Sequence, residues 1–447
     1  MILLKLFFWL VFIYGTGFFV IKMLSDRSSR VLTLEQLGLI FPLGCGVISL
    51  YMVILSLFHI SFSVSSFIGL WIPLLLLLMW LKRLEPGVIF LPQKITSLTF
   101  LEKFLLAVIL IQTIYVFLRA LIIPMEAFDS ILNFGMRAKV FYFNQGIPAN
   151  YFSEFKDVIY NIEYPLLLSL TETCGYIFLG QFHDGLIKII FPLYYLSILM
   201  FTFGFFRRFF SRENSLLFLF FLATVPQFVE FATNGYAEIL VSFYFTVSAF
   251  YIILWMTTKK PEALIVSAVC CALMLWTKTE GLMLICANIA LVIVYGILEK
   301  SSHWRTLLKY IAFCSLLLML YWVVIHAMGV NVHGMFKAQK NPPHLWEYLS
   351  RTGPILYEYQ MHIFGPKKWN LIWILWIGLV IFRLKRSWEV GVRYVTMLLG
   401  TVFLGYFIVF MMADSYEWVL EKTASRFILH FLPLLVFHGA LLFSEET

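Results

Sequence analysis

Uninterrupted apolar runs of about 18 residues or more, long enough to cross the hydrocarbon of a bilayer, recur from one end of this chain to the other. In lipid no water reaches the backbone, so each crossing segment must satisfy its own N–H and C=O groups, and a helix does this. A lipid-facing barrel would show alternating segments of roughly ten residues, which this sequence lacks. Of the 447 residues 61% are hydrophobic and 13% charged. A soluble domain carries about 25% charge. The expected fold class is therefore all-α and polytopic. Candidate spans fall at roughly 2–22, 37–59, 63–81, 104–123, 186–206, 215–231, 238–257, 262–276, 281–298, 307–327, 370–383, 394–412 and 427–443, about 13 in all.

The net charge is +8, but its placement argues against a nucleic-acid partner. The basic residues gather in short loops between apolar spans, the positive-inside pattern. These are Arg27 and Arg30; Lys82, Arg83, Lys94 and Lys103; Arg207, Arg208 and Arg212; Lys259 and Lys260; Lys300, Arg305 and Lys309; and Arg383, Lys385, Arg386 and Arg393. All six loops fall on one face if segment 165–180 is not a span, and that face is expected to be cytoplasmic. The opposite face then carries the two long loops, 124–185 and 328–369. Loops of that length are usually functional. Segment 165–180, PLLLSLTETCGYIFLG, is short for a crossing and holds Glu172, so it is expected to lie on the outer surface as an amphipathic helix.

The N-terminal apolar run has no small-residue cleavage site and is followed by Lys22, Arg27 and Arg30, so it reads as a retained span. Cys45, Cys270, Cys271, Cys286 and Cys314 sit in apolar runs and Cys174 in an amphipathic one. None has metal-type spacing, and all read as small buried residues.

Chemistry-bearing residues concentrate on the outer side. In PMEAFDSILNFGMRAKVFYFNQGI, Asp129 follows a span, and on a helix Asp129, Asn133 and Arg137 share a face at i, i+4 and i+8. In NGYAEIL, Glu238 ends an outer turn; in WTKTEG, Lys278 and Glu280 sit between two apolar runs. SYEWVLEKTASRF adds Glu417, Glu421, Lys422 and Arg426 in a short outer loop. Ionisable residues at such depth are candidates for function, although a lysine at a helix end can simply reach for water. Together they put carboxylates and cations where a lipid phosphate lies. His333, His344 and His362 lack ligand spacing and read as surface or binding residues. No Walker motif, dinucleotide fingerprint or HExxH stands in a supporting context.

AFDSILNFGMRAKVFYFNQG followed by YPLLLSL resembles the first outer loop of GT-C superfamily glycosyltransferases, polytopic enzymes that use polyprenyl-phosphate sugars and include protein O-mannosyltransferases and lipid A aminoarabinose transferases. NGYAEIL and WTKTEGL resemble the bacterial signatures GYAD and WTKNEG, and WVLEKTASRFILHFLPLL is similar to the C-terminal WHLxTSxxRxxxxxxP stretch. The similarity runs over about residues 104–440 in the same order, which sets residues 1–103, with three spans, apart from a 104–447 core. Phe128 stands where the family often has Trp, and Glu238 where it often has Asp.

The resemblance implies an inverting transfer in one displacement, with Asp129 as general base. Glu238, Lys278, Glu280, Arg426, Arg137 and Tyr164 would bind the donor, the cations meeting its phosphate. A divalent metal, if used, would sit on Asp129 and Glu238. The implied partners are membrane lipid, a polyprenyl-phosphate sugar and a glycan, lipid or protein acceptor, outside a bacterial plasma membrane. Two rivals remain. A transporter or flippase would hold its charges near the midplane of broken, repeated helices. An O-antigen-type polymerase or ligase would centre on Arg and His in one large outer loop.

Overall fold

The computed structural model of the chain describes residues 1–24, 32–81, 97–155, 158–159, 161–300, 302–330, 345–413 and 416–444. The expected basic positions Arg27, Arg30, Lys82, Arg83 and Lys94, and His333 and His344, lie outside them. Every regular element among the described residues is a helix.

Among the described residues eight helices are long and apolar enough to cross a membrane: Ile2–Leu24, Leu34–Leu57, Phe100–Ile122, Asp184–Phe206, Glu238–Thr258, Gly281–Leu298, Trp304–Ala327 and Arg393–Met412. Tyr416–His430 and Leu432–Phe443 make a ninth if taken together, bent by 53° at their junction. The other five expected spans are helices below about 18 residues or broken ones. The 215–231 run splits into Arg212–Ala223 and Pro226–Phe231, because a proline inside the run has no N–H for the helix ladder. The 63–81 run divides into Val64–Ile68 and Trp71–Trp80; the other two, Pro261–Thr277 and Ile372–Phe382, have 17 and 11 residues.

The bundle has two chemically different ends. At one, the arginine-rich turns are tied to helix ends. Arg208 Nε donates to Glu35 Oε2 at 2.7 Å, Arg212 Nε to Glu102 Oε1 at 2.6 Å, and Arg393 pairs with Glu299. Thr33 and Thr99 cap the helices that carry Glu35 and Glu102, each in a reciprocal box with the third helical residue. The expected outer residues gather at the other end.

The 165–180 segment differs from expectation. Leu167–Leu179 is a helix, but all of its residues except Ile177 are buried. It is a core helix with no exposed polar face. Thr171 and Thr173 explain how: each hydroxyl bonds back to a carbonyl four residues earlier, at 2.8 and 2.7 Å, which hides its polarity. Glu172 goes into the core with them, and neither carboxylate oxygen has a hydrogen-bond partner among the described residues. Five cysteines are buried as expected; Cys286 is exposed on the Gly281–Leu298 helix.

Candidate active site

Three local conformations build the site. The first is the NGYAEIL turn. The Asn234 side chain accepts from the Tyr236 N–H at 3.1 Å, and Gly235 takes φ +92°. A Cβ on Gly235 would lie 2.5 Å from Ser130 Cβ. Only glycine therefore lets this turn press against the residue next to Asp129 while starting a helix at Glu238. A carboxylate in the first turn also suits the helix dipole.

The second is the WTKTEG turn. One helix ends at Thr277, Lys278 is extended at φ −152° and ψ 148°, and the next helix begins at Gly281. A Cβ on Gly281 would fall 2.8 Å from the Met274 carbonyl. This close reversal puts Lys278 and Glu280 in one turn, beside the first residue of the Glu238 helix.

The third is the segment Asp129–Gly135, which is a π-helix leading into an α-helix at Met136–Phe143. Single turns of π-helix are rare and frequent at functional sites. The expected single face of Asp129, Asn133 and Arg137 does not form. Asp129 engages Arg426, while Arg137 Nη2 donates to Asn133 Oδ1 at 2.7 Å. Arg137 is fully buried and also donates to the backbone oxygens of Tyr164 and Asn161 at 2.6 and 3.2 Å. Arg137 thus braces the loop that carries Tyr164.

These elements bring five of the expected residues into one chain of alternating charge. Arg426 Nη2 donates to Asp129 Oδ2 at 2.6 Å and also bonds Glu238 Oε1. Lys278 Nζ donates to the same Glu238 oxygen at 3.0 Å and pairs with Glu280 Oε1 at 3.0 Å. The order is Asp129, Arg426, Glu238, Lys278, Glu280. Aromatic rings flank both cations: Arg426 lies 4.5 Å from the Tyr236 ring centre and Lys278 5.8 Å from that of Tyr164.

Burial separates the members. The Glu238 and Lys278 side chains are 0% and 2% exposed, against 11% for Asp129 and 16% for Arg426. Lys278 is therefore sealed beneath the site and does not reach outward for water. Burial disfavours its charge, but Glu238 and Glu280 outweigh this and hold the ammonium above its ordinary range. For Glu280 burial works against ionisation and the Lys278 charge prevails, holding the carboxyl below the usual range. Arg426 is the more accessible cation, and Asp129 Oδ1 makes no hydrogen bond among the described residues.

Glu417, Glu421 and Lys422 do not join the cluster. They lie on the exposed side of the Tyr416–His430 helix, where Lys422 and Glu421 pair at 2.7 Å. His362 is half-buried and meets Lys368 Nζ at 3.3 Å; Lys368 also reaches Ser425 Oγ at 3.4 Å. Three residues were missed from sequence: Tyr236, Lys368 and His430. His430 is buried one helical turn after Arg426, with Nδ1 2.6 Å from the Tyr406 hydroxyl and Nε2 unpartnered among the described residues. Its i+4 spacing from Arg426 was the available signal.

Among the described residues, no three His, Cys, Asp or Glu side chains group as metal ligands. Asp129 and Glu238 are bridged by the Arg426 guanidinium, so a cation held between them would have to displace it. The chain matches no family profile, no curated protein and no solved structure.

Proposed function

We propose that this chain is an inverting membrane glycosyltransferase. It moves a sugar from a polyprenyl-phosphate donor to a glycan, lipid or protein acceptor at the end of the bundle away from the arginine-rich turns. That end would face outward from the plasma membrane. The observation that carries the reading is the contact between Asp129 and Arg426 at the accessible edge of an otherwise buried charge chain. Such a transfer needs a carboxylate to take the acceptor proton and a cation to meet the departing phosphate, side by side.

In the proposed step the acceptor hydroxyl oxygen bonds the anomeric carbon while its proton passes to Asp129 Oδ1. The bond from the anomeric carbon to the phosphate oxygen breaks, and the electron pair leaves on the polyprenyl phosphate. Arg426 stabilises that charge. Lys278 acts as a positioning residue: it holds Glu238, and Glu238 aims Arg426. No step is routed through a metal.

The test supplies the purified chain with a panel of polyprenyl-phosphate sugars and measures donor hydrolysis and transfer. Sugar release by the native chain and its loss in Asp129→Asn support the reading; no turnover of any donor counts against it. Glu172, buried in the core without a hydrogen-bond partner among the described residues, favours lipid transport as the second reading, since such residues mark translocation paths. Flipping of a labelled polyprenyl phosphate in proteoliposomes, lost in Glu172→Gln and kept in Asp129→Asn, would select it.

A further inference from the structure

A polar cavity lies at the end of the bundle opposite the charge chain. It encloses about 710 Å³ where Arg212–Ala223 begins and Leu432–Phe443 ends. Arg207, Arg208 and Arg383 line it, with Asn214, Leu379 and Phe443. At this end Arg212 pairs with Glu102 and Arg393 with Glu299. Among the described residues the three around the cavity make one ion pair, Arg208 Nε with Glu35 Oε2 at 2.7 Å. Arg207 spends one N–H on the Phe210 carbonyl at 2.6 Å, and Arg383 has no ion-pair partner among the described residues. A guanidinium carries five donors, so most of these remain available to an anion.

The cavity adjoins apolar surface on one side. Leu379 and Phe443 also line an apolar groove of about 250 Å³ between the Arg212–Ala223, Ile372–Phe382 and Leu432–Phe443 helices. Phe218, Trp376, Val436 and Gly439 continue its walls. A charged chamber opening onto an apolar slot matches one kind of molecule, an amphiphile with an anionic head and a hydrocarbon chain. We infer that this composite site binds an anionic phospholipid of the surrounding leaflet, its phosphate on Arg207 and Arg383 and one acyl chain in the groove. Basic pockets between membrane helices bind phospholipid head groups by the same physics. The site stands apart from the charge chain of Asp129 and Arg426 and does not depend on the proposed transfer.

The test uses the full chain in neutral detergent and native mass spectrometry. Phosphatidylglycerol, phosphatidylcholine of the same chains and inorganic phosphate are titrated separately and in competition. Phosphatidylglycerol should bind about tenfold or more tightly than phosphatidylcholine. Arg383→Gln changes an exposed side chain and should weaken phosphatidylglycerol roughly fivefold, the worth of one basic residue near an anionic headgroup, with phosphatidylcholine unchanged. Gly439→Leu tests the groove. A Cβ there meets Phe218, Leu379 and Trp376 at 3.7–3.8 Å, so it fits, and the rest of the leucine fills the slot. That variant should lose both lipids. Equal binding of the two lipids, or native behaviour in Arg383→Gln, would overturn the inference. So would inorganic phosphate that displaces phosphatidylglycerol and binds Gly439→Leu undiminished, because the chamber would then take free phosphate.

Discussion

Arg426 reaches across 297 positions of sequence to place its Nη2 2.6 Å from Asp129 Oδ2. The bond joins the Asp129–Gly135 segment to the last helix pair of the chain. The carboxylate is aimed by a guanidinium that Glu238 holds from behind. The two side chains are partly exposed while their supports are not, so they can be changed without opening the core.

Asp129→Asn keeps the shape of the side chain and removes the basic oxygen. Expression and thermal unfolding in detergent should be close to native. Transfer from a polyprenyl-phosphate sugar should fall by about 10²-fold or more, the usual worth of a general base. Turnover within a few-fold of native in the folded variant would dismiss Asp129 from that role.

Lys278→Met should act on stability first. It leaves Glu238 buried with one cation fewer, and breaking a buried pair typically costs about 3–5 kcal/mol. Lys278→Met with Glu238→Gln should recover part of that loss, since the double change leaves no excess charge at the pair. Denaturant or thermal unfolding of the native chain, both single variants and the double variant gives the coupling directly. Additive losses would mean that the 3.0 Å contact contributes nothing.

Glu280 offers a test by pH. Lys278 lowers its carboxyl below the ordinary value, so the folded chain binds the proton less readily than the unfolded one. The stability this contributes is present above the unfolded value of about 4.3 and is lost as pH falls through the folded one. The unfolding temperature of the native chain should exceed that of Glu280→Gln by a constant margin from pH 7 down to about 5, and the margin should shrink below about 4. A margin that widens as the medium becomes more acidic would reverse the sign assigned here.

Much of this site could be read from sequence because its residues stand at the ends of apolar runs, where charge is conspicuous. Asp129, Glu238, Lys278, Glu280 and Arg426 were all found that way, and they meet. What the sequence did not reveal was depth. Lys278 reads as a helix-end lysine free to reach water, and only the turn closed by Gly281 puts it under Glu238. Arg137 shares an apparent helical face with Asp129, but the π-helix between them is invisible to a count of 3.6 residues per turn. The 215–231 run divides for a related reason. Hydropathy sums side chains and passes over the backbone, so it counts through Pro226 although the helix ladder cannot. Leu167–Leu179 was misplaced because two threonines and a glutamate look like a wet face, whereas the threonine hydroxyls are spent on the helix itself.

The positive φ of Gly235 leads to the last prediction. An alanine there would suffer twice. Its backbone would sit at φ +92°, outside the usual range of an L residue, and its methyl would start 2.5 Å from Ser130 Cβ. The strain should cost about 1–3 kcal/mol. Because Ser130 follows Asp129, relief by movement would carry the carboxylate away from Arg426. Gly235→Ala should therefore lower both the unfolding temperature and transfer. Adding Ser130→Gly removes the Cβ on the other side and relieves the clash but not the backbone strain, so transfer should recover further than stability does. If the second change restores neither, the NGYAEIL turn does not set the position of Asp129.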